Sequence, residues 1–207
     1  MFCSCGKIGA FMIIGVVPTG KIGSKEKFLE SLMKGVEKSF KKSNIKVSCQ
    51  MIPKKTLNIP KLAYNETVGK YLTQPFFDLG MEMKNKAEKV LNEEIKKVLV
   101  LTDVEIYDPP YIELYGQAND SIALVSVFRL KNKATNTKLL ERTIKEAVHE
   151  LGHTFGLKHC REKECVMNFS LNEYDIDDKT QFFCKECSKI LEANGRETWT
   201  SWDWAKV

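Results

Sequence analysis

The chain has 207 residues, 43% apolar and 29% charged, enough for a globular domain with a core of its own, and it reads as a single unit over 1–207. Its 32 basic and 27 acidic residues give a net charge of +5, spread without an arm or block of like sign, which argues against a dedicated nucleic-acid surface. No apolar run approaches the ~20 residues of a membrane span.

Residues 8–17 form an apolar stretch behind Lys7. A signal peptide can begin this way, but no small-residue cleavage site follows, and Pro18, Thr19 and Gly20 stop the run as they would a buried first strand over 11–17. Residues 25–42 carry Phe28, Leu29, Leu32, Val36 and Phe40 at helical spacing, so strand and helix together open a βαβ unit. Residues 45–52 alternate apolar and polar as a second strand, and 53–68, mixing prolines, lysines and polar residues, read as a surface loop. A helix is expected over 74–94 and a strand over 97–101. Residues 121–130 read as one further apolar strand, and 137–157 as a long helix with Leu140, Ile144, Val148 and Leu151 on one face. Strands alternating with helices indicate an α/β-like N-terminal sheet. After Gly156 the regular period gives way to a cysteine-punctuated segment and a last short helix near 185–191. Subdomains of about 1–156 and 157–207 follow from this change.

The informative segment is His149-Glu150-Leu151-Gly152-His153-Thr154-Phe155-Gly156-Leu157-Lys158-His159. Residues i and i+4 of a helix share a face, so His149 and His153 can bind one zinc while Glu150, the next residue along, reaches water at the metal as a general base. Gly156 can adopt the left-handed conformation that ends a helix and return His159 as a third nitrogen ligand. Three protein ligands with one open position suit a catalytic zinc, whereas structural sites are closed by four. The HExxH part alone would occur by chance in roughly one unrelated chain in a few hundred; Gly156 and His159 make accident far rarer. The chain has three histidines, and all of them lie in this motif.

Seven cysteines, an odd count with a Cys-x-x-Cys near histidines, point to metal chemistry in a reducing compartment, and a cytoplasmic location is expected. Cys160 and Cys165, then Cys184 and Cys187, supply four thiols that can close a second, structural zinc site and stitch loops together beside His159. A redox pair at Cys184 and Cys187, or simple burial of apolar thiols, is the alternative. Cys3, Cys5 and Cys49 have no partner pattern. The segment around Tyr107, Pro109, Pro110, Tyr111 and Tyr115 could line a cleft or be ordinary loop packing. Trp199, Trp202 and Trp204 either pack back onto the domain or cover an apolar groove.

Residues 149–160, Cys165-Val166-Met167 and Cys184-Lys185-Glu186-Cys187 together resemble the archaemetzincins, a branch of the metzincin metalloproteases. Leu101-Thr102-Asp103, Tyr115-Gly116-Gln117-Ala118 and the 126–130 stretch are similar to that family as well. The resemblance implies an α+β, zincin-like fold: a twisted mixed sheet with helices, an active-site helix and a small C-terminal subdomain with a zinc site. It implies that Met167 is the methionine beneath the zinc-bound imidazoles, although ordinary core packing beside Val166 and Phe169 would look the same from spacing. It also implies two zinc ions per chain and a peptide substrate laid antiparallel to an edge strand above the active helix, for which 121–130 is the candidate. The expected activity is hydrolysis of peptide bonds by a monomer, with no nucleic acid or membrane as partner. The competing reading is a zinc-stabilised binding module without catalysis; Glu150 argues against it, since a scaffold needs no carboxylate beside an open metal position.

Overall fold

The computed structural model describes residues 11–110 and 113–197. Cys3, Cys5, Tyr111 and the three tryptophans lie outside the described residues.

The first strand, β1 (Met12–Pro18), runs into a short 3-10 turn and then α1 (Glu26–Lys42). Leu29, Leu32, Val36 and Phe40 of α1 are buried on one face, Glu26 sits in its first turn, and Lys41 and Lys42 complement its C-terminal dipole end. The chain returns as β2 (Val47–Met51), parallel to β1, completing the expected βαβ unit. Most of the expected loop lacks regular structure, but its end contributes β3 (Tyr64–Asn65), which pairs with β4 (Lys70–Leu72). Helix α2 (Gln74–Leu91) starts with Pro75 in its first turn and ends at Asn92, whose left-handed conformation (φ 52°) closes it. Then come β5 (Ile95–Thr102), β6 (Ile106–Tyr107), β7 (Gly116–Ala118) and β8 (Ile122–Ser126). The C-terminal part holds α3 (Val127–Leu130), α4 (Asn136–Thr154), α5 (Glu173–Asp178) and α6 (Lys185–Glu197).

The main sheet has the order β2-β1-β5-β8-β7, and β3, β4 and β6 form a small second sheet. Its first four strands are parallel; β7 alone runs antiparallel, against β8. Helices cover both faces. One apolar cluster joins Ile14, Val16, Leu99, Leu101, Ala123 and Val125 to α1 and α4, and the other joins Val17, Val98, Val100, Ile122 and Leu124 to Phe76 and Phe77 of α2. Burial on both sides is why β1, β5 and β8 read as apolar runs without alternation. The cluster under α4 extends to Val166, Met167, Phe183, Cys187 and Leu191, so the cysteine-rich segment shares a core with the sheet.

One expectation is overturned. Residues 121–130 are not a single strand at the edge: β8 is flanked by β5 and β7, and the chain turns helical at Val127. The break lies at Ser126, whose Oγ accepts the Phe128 N–H at 3.1 Å and so caps α3. The edge is β7, three residues too short and too polar to show a strand pattern.

Candidate metal centre

Helix α4 begins with Thr135, whose hydroxyl accepts the Lys138 N–H at 3.2 Å, and it ends three residues before the expected 157. Gly156, at φ +80°, terminates it: the Leu157 N–H donates to the Gly152 carbonyl at 3.2 Å and the Gly156 N–H to that of His153 at 2.8 Å. These two bonds around a left-handed glycine form a Schellman ending. The reversal carries His159 back over the helix end, as the spacing of the motif requires.

The structure brings His149, His153 and His159 together, with ligand-capable atoms within 4.8 Å of one another. The outer nitrogens of two of them are engaged: His149 Nδ1–H donates to the Val166 carbonyl at 2.8 Å and His153 Nδ1–H to that of Leu157 at 2.7 Å. A carbonyl can only accept, so both protons sit on Nδ1 and both Nε2 lone pairs point inward. Those two Nε2 atoms are 3.1 Å apart. Two lone pairs at that separation repel unless a proton or a metal ion lies between them, and a proton is disfavoured here. Burial holds His149 well below the ordinary histidine range, helped by the neighbouring Lys179 and His153 charges, and burial also lowers His153 and His159. The donor set therefore fits a divalent, nitrogen-seeking metal such as zinc.

Glu150 is buried beside the triad; burial, and then the nearby Glu146 charge, lift its carboxyl well above the usual range. Strand β7 passes directly over it: a Cβ at Gly116 would lie 2.7 Å from Glu150 Cγ and 2.8 Å from its Oε1. Gly116 is thus the only kind of residue that allows strand and carboxylate to approach so closely. Beneath the helix, fully buried Met167 packs on Gly152, where an added Cβ would be 2.4 Å from the thioether sulfur.

Cys160, Cys165, Cys184 and Cys187 converge as the second group, their sulfurs within 4.8 Å of one another. All are free thiols; Cys160 and Cys184 are 3.8 Å apart. Backbone amides point at them, Cys184 N–H at Cys165 Sγ (3.3 Å) and Glu162 N–H at Cys160 Sγ (3.4 Å), which favours thiolate. Burial nevertheless pushes Cys165 up to about 11 and Cys187 higher still. Hydrogen bonds from its neighbours, against the pull of burial, hold the Cys184 thiol below its ordinary value. Buried thiols that resist ionisation beside one that favours it, with amides set for sulfur anions, fit a cation shared by all four. The two groups are joined: Cys160 follows His159, its N–H donates to the Met167 carbonyl at 2.8 Å, and its carbonyl accepts from Asn168 Nδ2 at 2.9 Å.

Of the possible cleft residues, Tyr107 and Tyr115 are buried, Tyr107 bonded by Asn65 Nδ2 at 2.6 Å and Tyr115 lying 4.8 Å from the Arg129 guanidinium. Cys49 belongs to neither group, and its N–H donates to Glu37 Oε1 at 2.8 Å. The sequence named Gly116 only within a stretch similar to the family and assigned it no role, and it singled out neither Glu146 nor Lys179. One signal existed: Arg142, Glu146 and Glu150 repeat every fourth residue, a charged line on a helix whose second half is buried nearly all round.

The profile of peptidase family M54 matches residues 15–193. The archaemetzincin of Methanopyrus kandleri is 37% identical over 145 residues, covering 69% of this chain and 78% of that protein. That of Pyrococcus furiosus is 34% identical over 190 residues, 87% and 92% of the two chains. The crystal structure of the M. kandleri protein superposes with a TM-score of 0.74 at 32% identity, over 91% of this chain and 98% of that one. The malonate complex of the Archaeoglobus fulgidus archaemetzincin does so with 0.65 at 30%, over 86% and 99%. Within the described residues no helix is long and apolar enough to cross a membrane. By sequence and by fold alike, the chain belongs to peptidase family M54, the archaemetzincins, and is a zinc metallopeptidase.

Proposed function

We propose that this chain hydrolyses peptide bonds at the histidine triad, with His149, His153 and His159 holding a catalytic zinc, Glu150 as general base, and Cys160, Cys165, Cys184 and Cys187 holding a second, structural zinc. The observation that carries the reading is the pair of inward Nε2 atoms 3.1 Å apart, each locked by an Nδ1–H bond to a carbonyl. Zinc bound there supplies a Lewis acid that acidifies water and polarises the scissile carbonyl. Glu150 lies one residue from His149 on the same helix, and a carboxylate raised by burial is a stronger base than an exposed one. It takes the proton from the attacking water and passes it to the departing amine nitrogen.

Substrate positioning falls to β7 rather than to 121–130. Its outer side is free among the described strands, so an extended peptide can add there as a further strand. Gly116 keeps that strand close enough to Glu150 for the scissile bond to reach the base. The cysteine group acts at a distance, fixing Met167 and His159 through Cys160.

Glu150→Gln tests the assignment, because it removes the base without removing a ligand. Zinc content should be unchanged while kcat on a reporter peptide falls by about 10²–10⁴. Wild-type turnover in that variant would refute the mechanism. Zinc-loaded wild type that binds peptides without cleaving any would favour the silent binding module instead.

A further inference from the structure

Glu146 lies on α4 one turn ahead of His149 and Glu150, and is 4% exposed. Lys179 follows directly after α5 and is 2% exposed. The Lys179 ammonium is 3.1 Å from Glu146 Oε1 and donates to the Asn168 carbonyl at 3.2 Å, beside Met167. The approach to Glu146 is ionic rather than an aligned hydrogen bond, since Oε1 accepts none. A pair buried this deeply gains little net stability, because desolvating two charges offsets their attraction and two apolar side chains would hold the same elements together. Neither residue belongs to the two ligand groups. Glu146 shares a face of α4 with His149 and Glu150, three and four residues on, and Lys179 reaches the carbonyl of the residue after Met167, so both charges sit against the helix that carries the triad.

We propose that Glu146 and Lys179 are positioning residues whose opposed charges set how tightly the triad holds its metal. This rests on the reading that the triad binds zinc. A buried carboxylate next to the site favours a dication and a buried ammonium opposes it, both in surroundings where water screens poorly. Balanced against each other, they keep the affinity below what Glu146 alone would give, and they let Lys179 tie the Met167 segment to α4 without leaving a net charge under the metal.

The test uses the full-length protein and zinc as the probe. Dissociation constants would be measured by competition with a chromophoric chelator for wild type, Glu146→Gln, Lys179→Met and the double variant. A His149→Ala/His153→Ala variant identifies the contribution of the thiol group. Electrostatic control predicts opposite signs: Glu146→Gln weakens triad zinc by about tenfold or more, Lys179→Met tightens it by a similar factor, and the double variant returns to within about threefold of wild type. If Lys179→Met does not fold, adding it to Glu146→Gln must still restore affinity. Weakening by both single changes, or no shift in either, would overturn the proposal in favour of a purely structural pair. Wild type lacking histidine-dependent zinc would instead remove the reading beneath it.

Discussion

Replacing Gly116 by alanine would place a methyl group 2.7 Å from both Glu150 Cγ and the Leu124 carbonyl oxygen, and 2.8 Å from Glu150 Oε1. The carbonyl belongs to β8 in the interior of the sheet and cannot retreat, so β7 must lift or Glu150 must leave its rotamer. Overpacking of this kind costs about 1–3 kcal/mol, which for a chain of this size lowers Tm by roughly 2–12 °C. Displacing the base and the substrate strand relative to each other should cut kcat/KM by about a hundredfold, with zinc content intact because no histidine moves. The contacts also predict non-additivity. In a Glu150→Ala background the Cγ and Oε1 clashes vanish and the Leu124 contact remains, so the stability cost of Gly116→Ala should shrink by at least about 0.5 kcal/mol without vanishing. Thermal melts of the four proteins and peptide turnover would measure this. An alanine variant with unchanged Tm and turnover, or an equal cost in both backgrounds, would refute the packing argument.

Gly156 holds φ +80° at the turn that delivers His159, so Gly156→Ala should cost about 1–2 kcal/mol and loosen triad zinc, while Gly156→Asn, which tolerates that conformation, should cost less; equal melts and equal chelator competition for all three would contradict this. Arg142 is buried and bidentate to Asp177 (2.8 and 2.9 Å), and its Nη1 also serves the carbonyls of Leu130 and Asn132. Arg142→Met should therefore destabilise by about 3 kcal/mol in urea titrations. The Arg142 hydrogen bond holds the Asp177 carboxyl below its usual range, although burial opposes this. A carboxyl lowered in the folded state adds stability that is complete above its unfolded pKa of about 3.9 and is lost as pH falls through the lower folded value. Asp177→Asn should thus flatten the acid limb of stability against pH below about 4, and an unchanged limb would speak against the pair.

The metal motif was legible because its geometry is local. His149 and His153 meet through helical repeat alone, and Gly156 returns His159 through a turn that only a left-handed residue makes easily. The four thiols could be grouped because few chemistries gather unpaired cysteines beside histidines. The first βαβ unit followed from patterns within single elements. Residues 121–130 failed for a physical reason: a strand buried on both faces and the short helix after it are equally apolar, and the Ser126 cap that divides them is one hydroxyl in that run. Strand β7 was invisible because Gly116-Gln117-Ala118 becomes a strand only by pairing with β8. Glu146 and Lys179 are 33 positions apart in the chain and meet only once the segment after α4 has folded back, so their ion pair has no local signature.

Elemental analysis of zinc per chain, on wild type and on a His149→Ala/His153→Ala variant, would count the metal sites and assign them to their ligands. Two zinc ions falling to one is the expected result and would establish a histidine site separate from the thiol site; one zinc unaffected by the histidine changes would leave only the cysteine group and overturn the catalytic assignment.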